Sequence, residues 1–200
     1  MKERRTQVDR RAETERRVLD AATALIAERG PRALSLAEVG RLAGYSRGIV
    51  NHQFGSKQHL LVAVVLRAQQ FDVPHTGGSG LDRLAVLVQT HLTSLRDRAP
   101  NGRAFLRLWT DSLGSDSTLE PIFLLRDKWF RDILASHIRT GIDDGSVRPD
   151  CNPDVVALAL LGTVRGIGLQ LVNSAEDVSV DLIAQQVADL VTHGLATETK

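Results

Sequence analysis

The fold is decided by residues 35–57, which read SLAEVGRLAGYSRGIVNHQFGSK. Ser35 and Glu38 have the spacing of a capping box, in which the serine caps a helix and the glutamate reaches back to the serine amide. Gly44 suits the left-handed residue that ends a helix, and Ser46 can cap the next helix. The stretch therefore predicts two short helices joined by a tight turn.

Two short helices joined in this way have the dimensions of a helix-turn-helix, whose second helix lies in the DNA major groove. On that second helix Val50 and Phe54 are four residues apart, so both face the core. The opposite side is small and polar, because Gly48, Asn51 and His52 fall on it. We add to these the two capping serines, the residues at the sides of this face and the first residue of the next helix. The predicted DNA-binding residues are Ser35, Ser46, Arg47, Gly48, Ile49, Asn51, His52 and Lys57.

The residue types on this face suit contacts with DNA. The Asn51 amide can pair with adenine through two hydrogen bonds, and Arg47 can reach a guanine edge or a phosphate. Lys57 begins the following helix, where a helix N-terminus and an ammonium can hold one phosphate together. The alternative is an ordinary helical hairpin with a solvated polar face. Further backbone or minor-groove contacts are expected from the basic N-terminal arm, Lys2, Arg4, Arg5, Arg10 and Arg11.

Outside this stretch the hydrophobic spacing is also helical. Val18, Leu25 and Ile26 lie on one face of a first helix, and Pro31 cannot continue it. The chain contains no run of alternating β-branched residues that would indicate a strand. We predict an all-α fold of about nine helices, at residues 9–29, 35–44, 47–54, 57–71, 81–98, 103–113, 121–142, 154–172 and 180–194.

The net charge conceals an uneven distribution along the chain. The 200 residues carry 25 Lys and Arg against 24 Asp and Glu, a net charge of +1. Residues 1–60 hold 12 basic and 7 acidic side chains, a net of +5, whereas residues 61–200 hold 13 and 17, a net of −4. A basic first third favours a small module that meets a polyanion. The alternative interpretation is a solvated basic arm.

Composition and motifs exclude several functional classes. The longest apolar run, residues 155–164, is half the length of a membrane span, and the first residues are too polar for a secretory signal. The single Cys151 excludes an intramolecular disulfide and a cysteine metal cluster. The sequence contains no metalloprotease, nucleophile-elbow or P-loop motif. We expect a cytoplasmic protein that does not contact a membrane and has no catalytic residue, metal or cofactor.

The N-terminal segments resemble the signature of the TetR family of transcriptional repressors, in order and spacing, over about 50 residues. Two positions depart from the usual pattern: Asn51 stands where a tyrosine is usual, and Gln53 where histidine or tyrosine is usual. The segments that carry the resemblance are residues 17–22, 28–30, 35–43, 44–50 and 54–57 with Leu60. A second similarity, to the residues leading into the last two helices of the family, covers residues 141–148, Pro153 and residues 166–169.

The resemblance implies a domain organisation and a mode of action. Residues 1–56 would form a DNA-binding domain of three helices with a basic arm, and residues 57–200 a helical domain for ligand binding and dimerisation. A homodimer would bind double-stranded DNA at a palindromic operator and leave it when a small-molecule effector binds. The alternatives are a helix-turn-helix regulator without such an effector, and a helical ligand-binding or interaction protein that has lost DNA binding.

Aromatic residues cluster in the second half of the chain and could line an apolar ligand cavity. They could equally be ordinary core residues. Arg165 is the one charge in an otherwise apolar helix, and it would bind either a ligand carboxylate or a structural acidic partner. The predicted pocket residues are Phe105, Trp109, Phe123, Trp129, Phe130 and Arg165.

The last two helices predict a dimer interface. Helix 154–172 is apolar on nearly all sides, and the following helix adds a second apolar surface. With the resemblance included, a four-helix contact between two copies is favoured over a core that lies wholly within one copy. The predicted interface residues are Leu161, Val164, Ile183, Val187, Leu190 and Val191.

Overall fold

The computed structural model describes residues 7–68, 70, 72–97, 100–114, 117–173 and 178–197. Over these ranges the chain forms nine α-helices and no strand, so the all-α prediction is confirmed. A short 3-10 helix, Pro31–Ala33, follows the first helix, and one isolated bridge pairs Val147 with Ala196. The helices are α1 (Gln7–Arg29), α2 (Leu36–Ala43), α3 (Arg47–Phe54), α4 (Lys57–Ala68), α5 (Gly80–Asp97), α6 (Asn101–Ser112), α7 (Glu120–Asp143), α8 (Pro153–Asn173) and α9 (Val180–Leu195).

Both serines cap helices as the sequence predicts. Ser35 Oγ accepts a hydrogen bond from the Glu38 amide at 3.1 Å, and Ser46 Oγ accepts one from the amide three residues later at 3.3 Å. Gly44 ends α2 in the left-handed conformation, with φ 78°. The glutamate half of the capping box is different, because the Glu38 carboxylate accepts bonds from the Arg41 guanidinium at 2.8 and 3.1 Å. The Arg41 guanidinium carries a positive charge, whereas the Ser35 amide does not, so the arginine is the stronger partner for the Glu38 carboxylate.

One compact unit contains α1, α2, α3, α4 and α6. Helix α1 lies against α2, α4 and α6, and α2 lies against α3. Aliphatic side chains from all five helices and from the turn before α2 are fully buried between them, among them Ile26, Leu34, Val39, Val50, Leu60 and Leu108. This packing fixes which side of α3 remains in solvent.

Two arginines attach later helices of this unit to α1. From α4, Arg67 donates to Asp20 Oδ1 at 2.8 Å and to Thr23 Oγ1 at 2.9 Å. From α6, Arg107 donates to the Glu28 carbonyl at 3.0 Å, close to the end of α1. A cation at a helix C-terminus is favourable, because the last carbonyls have no partner within the helix. The first unit is therefore held by polar links as well as by its apolar core.

A second compact unit contains α5, α7, α8 and α9. Helix α5 packs along α9 and against α8. The start of α5 meets the end of α7 so closely that a Cβ at Gly80 would collide with the Gly141 backbone. The buried cluster of this unit includes Leu84, Leu87, Leu92, Phe130, Leu134, Ile138, Leu161, Val164, Val187 and Val191.

The two units do not divide where the sequence suggests a functional boundary. Helices α4 and α6 belong to the same compact unit as the predicted helix-turn-helix, although both follow residue 56. Sequence patterns predict where helices form but not which helices pack together, because any apolar neighbour can bury the apolar face of an amphipathic helix. The assignment of DNA binding to residues 1–56, and of ligand binding and dimerisation to residues 57–200, stays a prediction.

Helix α8 is unusually apolar. Its residues Pro153–Leu171 have a mean hydropathy of 1.5 and are long and apolar enough to cross a membrane by length and composition. The helix nevertheless contains Arg165, which forms an ion pair with Asp127 of α7. Core helices of folded domains meet the same criterion, and α8 contributes Leu161 and Val164 to the buried cluster of its unit. We interpret α8 as a packing helix.

Candidate nucleic-acid interface

Helix α3 presents one face to the core and the other to solvent. Val50 is fully buried and Phe54 is half-buried, as their spacing predicts. The predicted contact residues of this helix are all exposed: Arg47, Gly48, Ile49, Asn51 and His52. The face combines a guanidinium, an amide, an imidazole and one large apolar side chain. These groups can donate to, accept from and contact base edges in a major groove.

The turn between α2 and α3 depends on a glycine that sequence reasoning missed. A Cβ at Gly40 would lie 2.8 Å from the Tyr45 carbonyl oxygen, so no larger residue fits without moving the turn. The Tyr45 amide also donates to the Gly40 carbonyl at 2.8 Å. Gly40 lies inside a helix, where glycine usually lowers stability. A glycine at such a position was the sequence signal that could have indicated a close backbone contact. The close approach sets the angle at which α3 leaves α2.

A cleft of about 840 Å³ separates the first turns of α1 from the exposed side of α3. The α1 wall carries two basic side chains of the predicted arm, Arg10 and Arg11. The α3 wall carries predicted contact residues, among them Ile49 and His52. The other predicted arm residues, Lys2, Arg4 and Arg5, lie outside the described residues. The cleft therefore places positive charge beside the face that would meet DNA.

Two side-chain hydrogen bonds connect α1 to the helix-turn-helix. Gln53 donates to Glu15 Oε2 at 3.3 Å, and the Thr14 hydroxyl donates to the Tyr45 hydroxyl at 3.4 Å. The Gln53 amide is thus directed toward α1, at one of the two positions where the sequence departs from the usual TetR pattern. This position supports the orientation of α3, whereas Asn51, at the other departure, remains exposed.

Three of the predicted DNA-binding residues lie at helix starts. Ser35 and Ser46 are exposed caps of α2 and α3. Lys57 begins α4, and its Nζ lies 3.4 Å from the Arg32 carbonyl oxygen, to which it donates. That bond to a neutral oxygen leaves the ammonium charge uncompensated, so the group retains its attraction for an anion. Lys57 is thus the first residue of α4, as the sequence predicts.

Acidic residues on α1 pair with basic residues next to them. The Glu13 carboxylate accepts hydrogen bonds from Arg17 at 2.7 Å and from Arg16 at 2.9 Å. These bonds from Arg17 and Arg16 lower the pKa of the Glu13 carboxyl below its ordinary value. The pairing neutralises the middle of α1, and positive charge remains nearer its start, where Arg10 and Arg11 line the cleft.

The predicted pocket residues are divided between the two units. Phe105 and Trp109 are on α6 in the first unit, whereas Phe123, Trp129 and Phe130 are on α7 in the second. Phe123 and Phe130 are each only 2% exposed, whereas Trp129 is 41% exposed. Whether these residues line a ligand cavity stays a prediction. Among the described residues, no group of histidine, cysteine, aspartate and glutamate is arranged to hold a metal.

Arg165 is paired with an acidic side chain of the protein, which is one of the two partners that the sequence allows, the other being a ligand carboxylate. Its Nη2 lies 2.5 Å from Asp127 Oδ1, and only 7% of the residue is exposed. Burial lowers the pKa of the guanidinium, and the neighbouring carboxylate opposes that shift. The pair therefore joins α7 to α8 by a charge-assisted bond in a desolvated position.

The predicted dimer residues do not share one surface. Leu161, Val164, Val187 and Val191 belong to the buried cluster of their own unit, and Ile183 is half-buried. Leu190 is 72% exposed. The same two helices expose other apolar side chains, because an apolar pattern on all sides does not reveal which side the protomer's own core covers. Those exposed side chains are Val155, Leu158 and Leu182, at 62%, 57% and 61%.

Comparison with known families accounts for most of the chain. Residues 18–64 match the family described as bacterial regulatory proteins, tetR family. Residues 81–196 match the family described as BetI-type transcriptional repressor, C-terminal. The chain belongs to the TetR family. The resemblance seen in the N-terminal segments and in the residues before the last helices is thereby confirmed.

Individual relatives cover nearly the full length of this TetR-family chain. The HTH-type transcriptional repressor KstR2 of Rhodococcus jostii is 27% identical over 186 residues, which are 90% of each chain. A transcriptional regulator from Saccharomonospora viridis, solved in complex with choline, is 26% identical with a TM-score of 0.77, covering 94% of this chain and 100% of that one. The ketosteroid transcriptional regulator KstR2 of Mycobacterium tuberculosis shares the fold, with 24% identity and a TM-score of 0.69 over 94% and 96% of the chains.

Proposed function

We propose that this TetR-family repressor binds a palindromic operator as a homodimer and leaves it when a small molecule binds. The observation that carries the proposal is the exposed face of α3 beside a cleft lined by Arg10 and Arg11. A regulator without an effector is the second candidate. The relatives are named as transcriptional regulators, and we propose no enzymatic activity for the chain. Its place of action is the cytoplasm, where bacterial DNA lies.

The dimer surface proposed here is the solvent side of α8 and α9. Four apolar side chains of these helices are more than half exposed, which is costly unless a partner covers them. On α8 a Cβ at Gly162 or Gly166 would have no neighbour within 4 Å, so a second helix can approach the backbone closely. A second copy presents the same apolar surface and is the simplest partner for a two-fold contact. The surface residues are Val155, Leu158, Leu182 and Leu190.

A two-fold dimer explains how a ligand could control DNA binding. Two recognition helices must enter successive major grooves, whose half-sites lie about 34 Å apart. A ligand that binds better to a conformation with a different spacing shifts the population away from DNA. A release mechanism thus needs only a small change in the distance between the two α3 helices.

The side chains of α7 argue against choline as the effector, although a similar structure contains it. Quaternary ammonium ions are held over the faces of aromatic rings. Here the Arg126 guanidinium already lies 4.1 Å from the Trp129 ring centroid and 5.5 Å from that of Phe130. A second cation at these rings would be repelled. If Trp129 and Phe130 contact the effector, an apolar compound that is neutral or anionic is therefore favoured over a quaternary ammonium ion.

The test is a gel shift with the DNA upstream of the protein's own gene, at low salt and with random competitor DNA. A specific shift is expected, and its absence would contradict both DNA-binding candidates. Choline and a ketosteroid are then added in turn. Choline should leave the complex intact, and release by choline would contradict the proposed effector class. If no apolar compound in a wider panel releases the DNA, the regulator without an effector is favoured.

A further inference from the structure

One large apolar side chain is exposed on the DNA-facing side of α3, a helix that the structure describes completely. Ile49 is 44% exposed, whereas Val50 beside it is fully buried. A single exposed aliphatic residue is common on protein surfaces and proves nothing alone. Its place is the informative feature, since Ile49 lines the cleft together with Arg10 and Arg11 of α1.

The neighbours of Ile49 leave its side chain accessible. Gly48 has no side chain, and Gln53, four residues further along the same wall, is directed to Glu15 on α1 by a hydrogen bond of 3.3 Å. Isoleucine is stiff at χ1, so little rotamer entropy is lost when a partner covers it. The side chain is thus a preformed apolar surface among polar groups.

Helix geometry separates Ile49 from Asn51. Successive residues turn about 100° around an α-helix, so residues two apart lie about 160° from each other by the shorter way. Gly48 and His52 fall between them, at the centre of the exposed face. Ile49 therefore lies on the side toward α1 and Asn51 on the opposite side, and the two side chains meet different parts of a half-site.

Only one base group in the major groove is apolar, the 5-methyl of thymine. We propose that Ile49 contacts a thymine methyl in each half-site, on the strand whose phosphates enter the cleft between α1 and α3. The proposal rests on the DNA-binding function proposed above and adds a base preference to it. A contact with deoxyribose would use the same exposed surface, and the two are separable by experiment.

The experiment replaces thymine with uracil, which removes only the methyl group. The full chain first selects duplexes from a random library, and each thymine of the enriched half-site is then changed singly to deoxyuridine. Affinities are measured for the wild type, Ile49→Ala, Asn51→Ala and Leu66→Ala by fluorescence anisotropy. Leu66 is a matched control, an aliphatic residue 54% exposed on α4. Circular dichroism verifies that each variant is folded.

At one thymine per half-site, the wild type should bind the uracil duplex about fourfold more weakly than the thymine duplex. This ratio corresponds to the loss of one buried methyl group. Ile49→Ala should lose this preference, while Asn51→Ala weakens binding to both duplexes and keeps the preference. Leu66→Ala should bind both duplexes as the wild type does. A wild type that is insensitive at every thymine, or an Ile49→Ala variant that keeps the full ratio, would overturn the proposal. A library without any enriched duplex overturns the DNA-binding function itself.

Discussion

At the scale of single residues, α3 carries accessible side chains, which we propose read DNA, and side chains that hold the helix in place. Gln53 is bonded to Glu15 on α1, whereas Asn51 and Ile49 remain accessible. The sequence places all of these residues on one short helix but cannot distinguish their roles. A hydrogen bond between residues 38 positions apart depends on the packing of α1 against the helix-turn-helix.

Lys57 provides a residue-scale prediction. Its ammonium lies at the start of α4 and donates to a neutral carbonyl, so Lys57→Ala should remove one phosphate contact. Binding should weaken on every DNA sequence alike, and the slope of log K against log salt should fall by about one. The control is Lys128→Ala, which removes the same charge from an exposed pair with Asp132 on α7. Equal slopes for the two variants would remove Lys57 from the interface.

At the scale of helices, the sequence predicts positions well because the signals at helix ends are local. Ser46 and Gly44 each act within one turn of the chain, so the ends of α2 and α3 follow from the sequence. The role of Gly40 and the Arg41 partner of Glu38 depend on neighbouring turns. The attachment of α6 to α1 through Arg107 is a tertiary contact that no local pattern encodes.

The ion pair between α7 and α8 gives an element-scale prediction. Asp127→Ala would leave the buried Arg165 guanidinium without its carboxylate, which costs about 3–5 kcal/mol of unfolding free energy for a desolvated pair. Asp132→Ala on the same helix breaks the exposed pair with Lys128 and should cost less than about 1 kcal/mol. Urea unfolding of both variants measures the difference. Similar losses would show that the Arg165 pair contributes no more than a surface pair.

At the scale of the whole molecule, the near-zero net charge divides into a basic first part and an acidic remainder. The acidic part should repel DNA, so the charge favours one orientation of docking. The sequence does not predict which apolar residues of the last two helices face a second copy. Leu161 and Leu158 are both apolar residues of α8, but the protomer's own core buries the first and leaves the second 57% exposed.

This surface leads to a prediction about mass in solution. The wild type should have twice the protomer mass of 21.9 kDa by light scattering. Leu190→Glu places a charge on the exposed side of α9 and should yield a folded monomer, because a dimer would bury that carboxylate. Leu125→Glu, at an equally exposed leucine of α7, should remain a dimer. A monomeric wild type, or a Leu190→Glu variant that stays dimeric, would exclude the proposed interface.

We propose that two copies of α3 read two half-sites of one operator. A hydroxyl-radical footprint of the full chain on the DNA upstream of its gene distinguishes two bound half-sites from one. The expected result is two protected patches related by a two-fold axis, on one face of the duplex, with centres about 34 Å apart. A single protected patch, or no protection at a concentration that shifts all of the DNA, would contradict it.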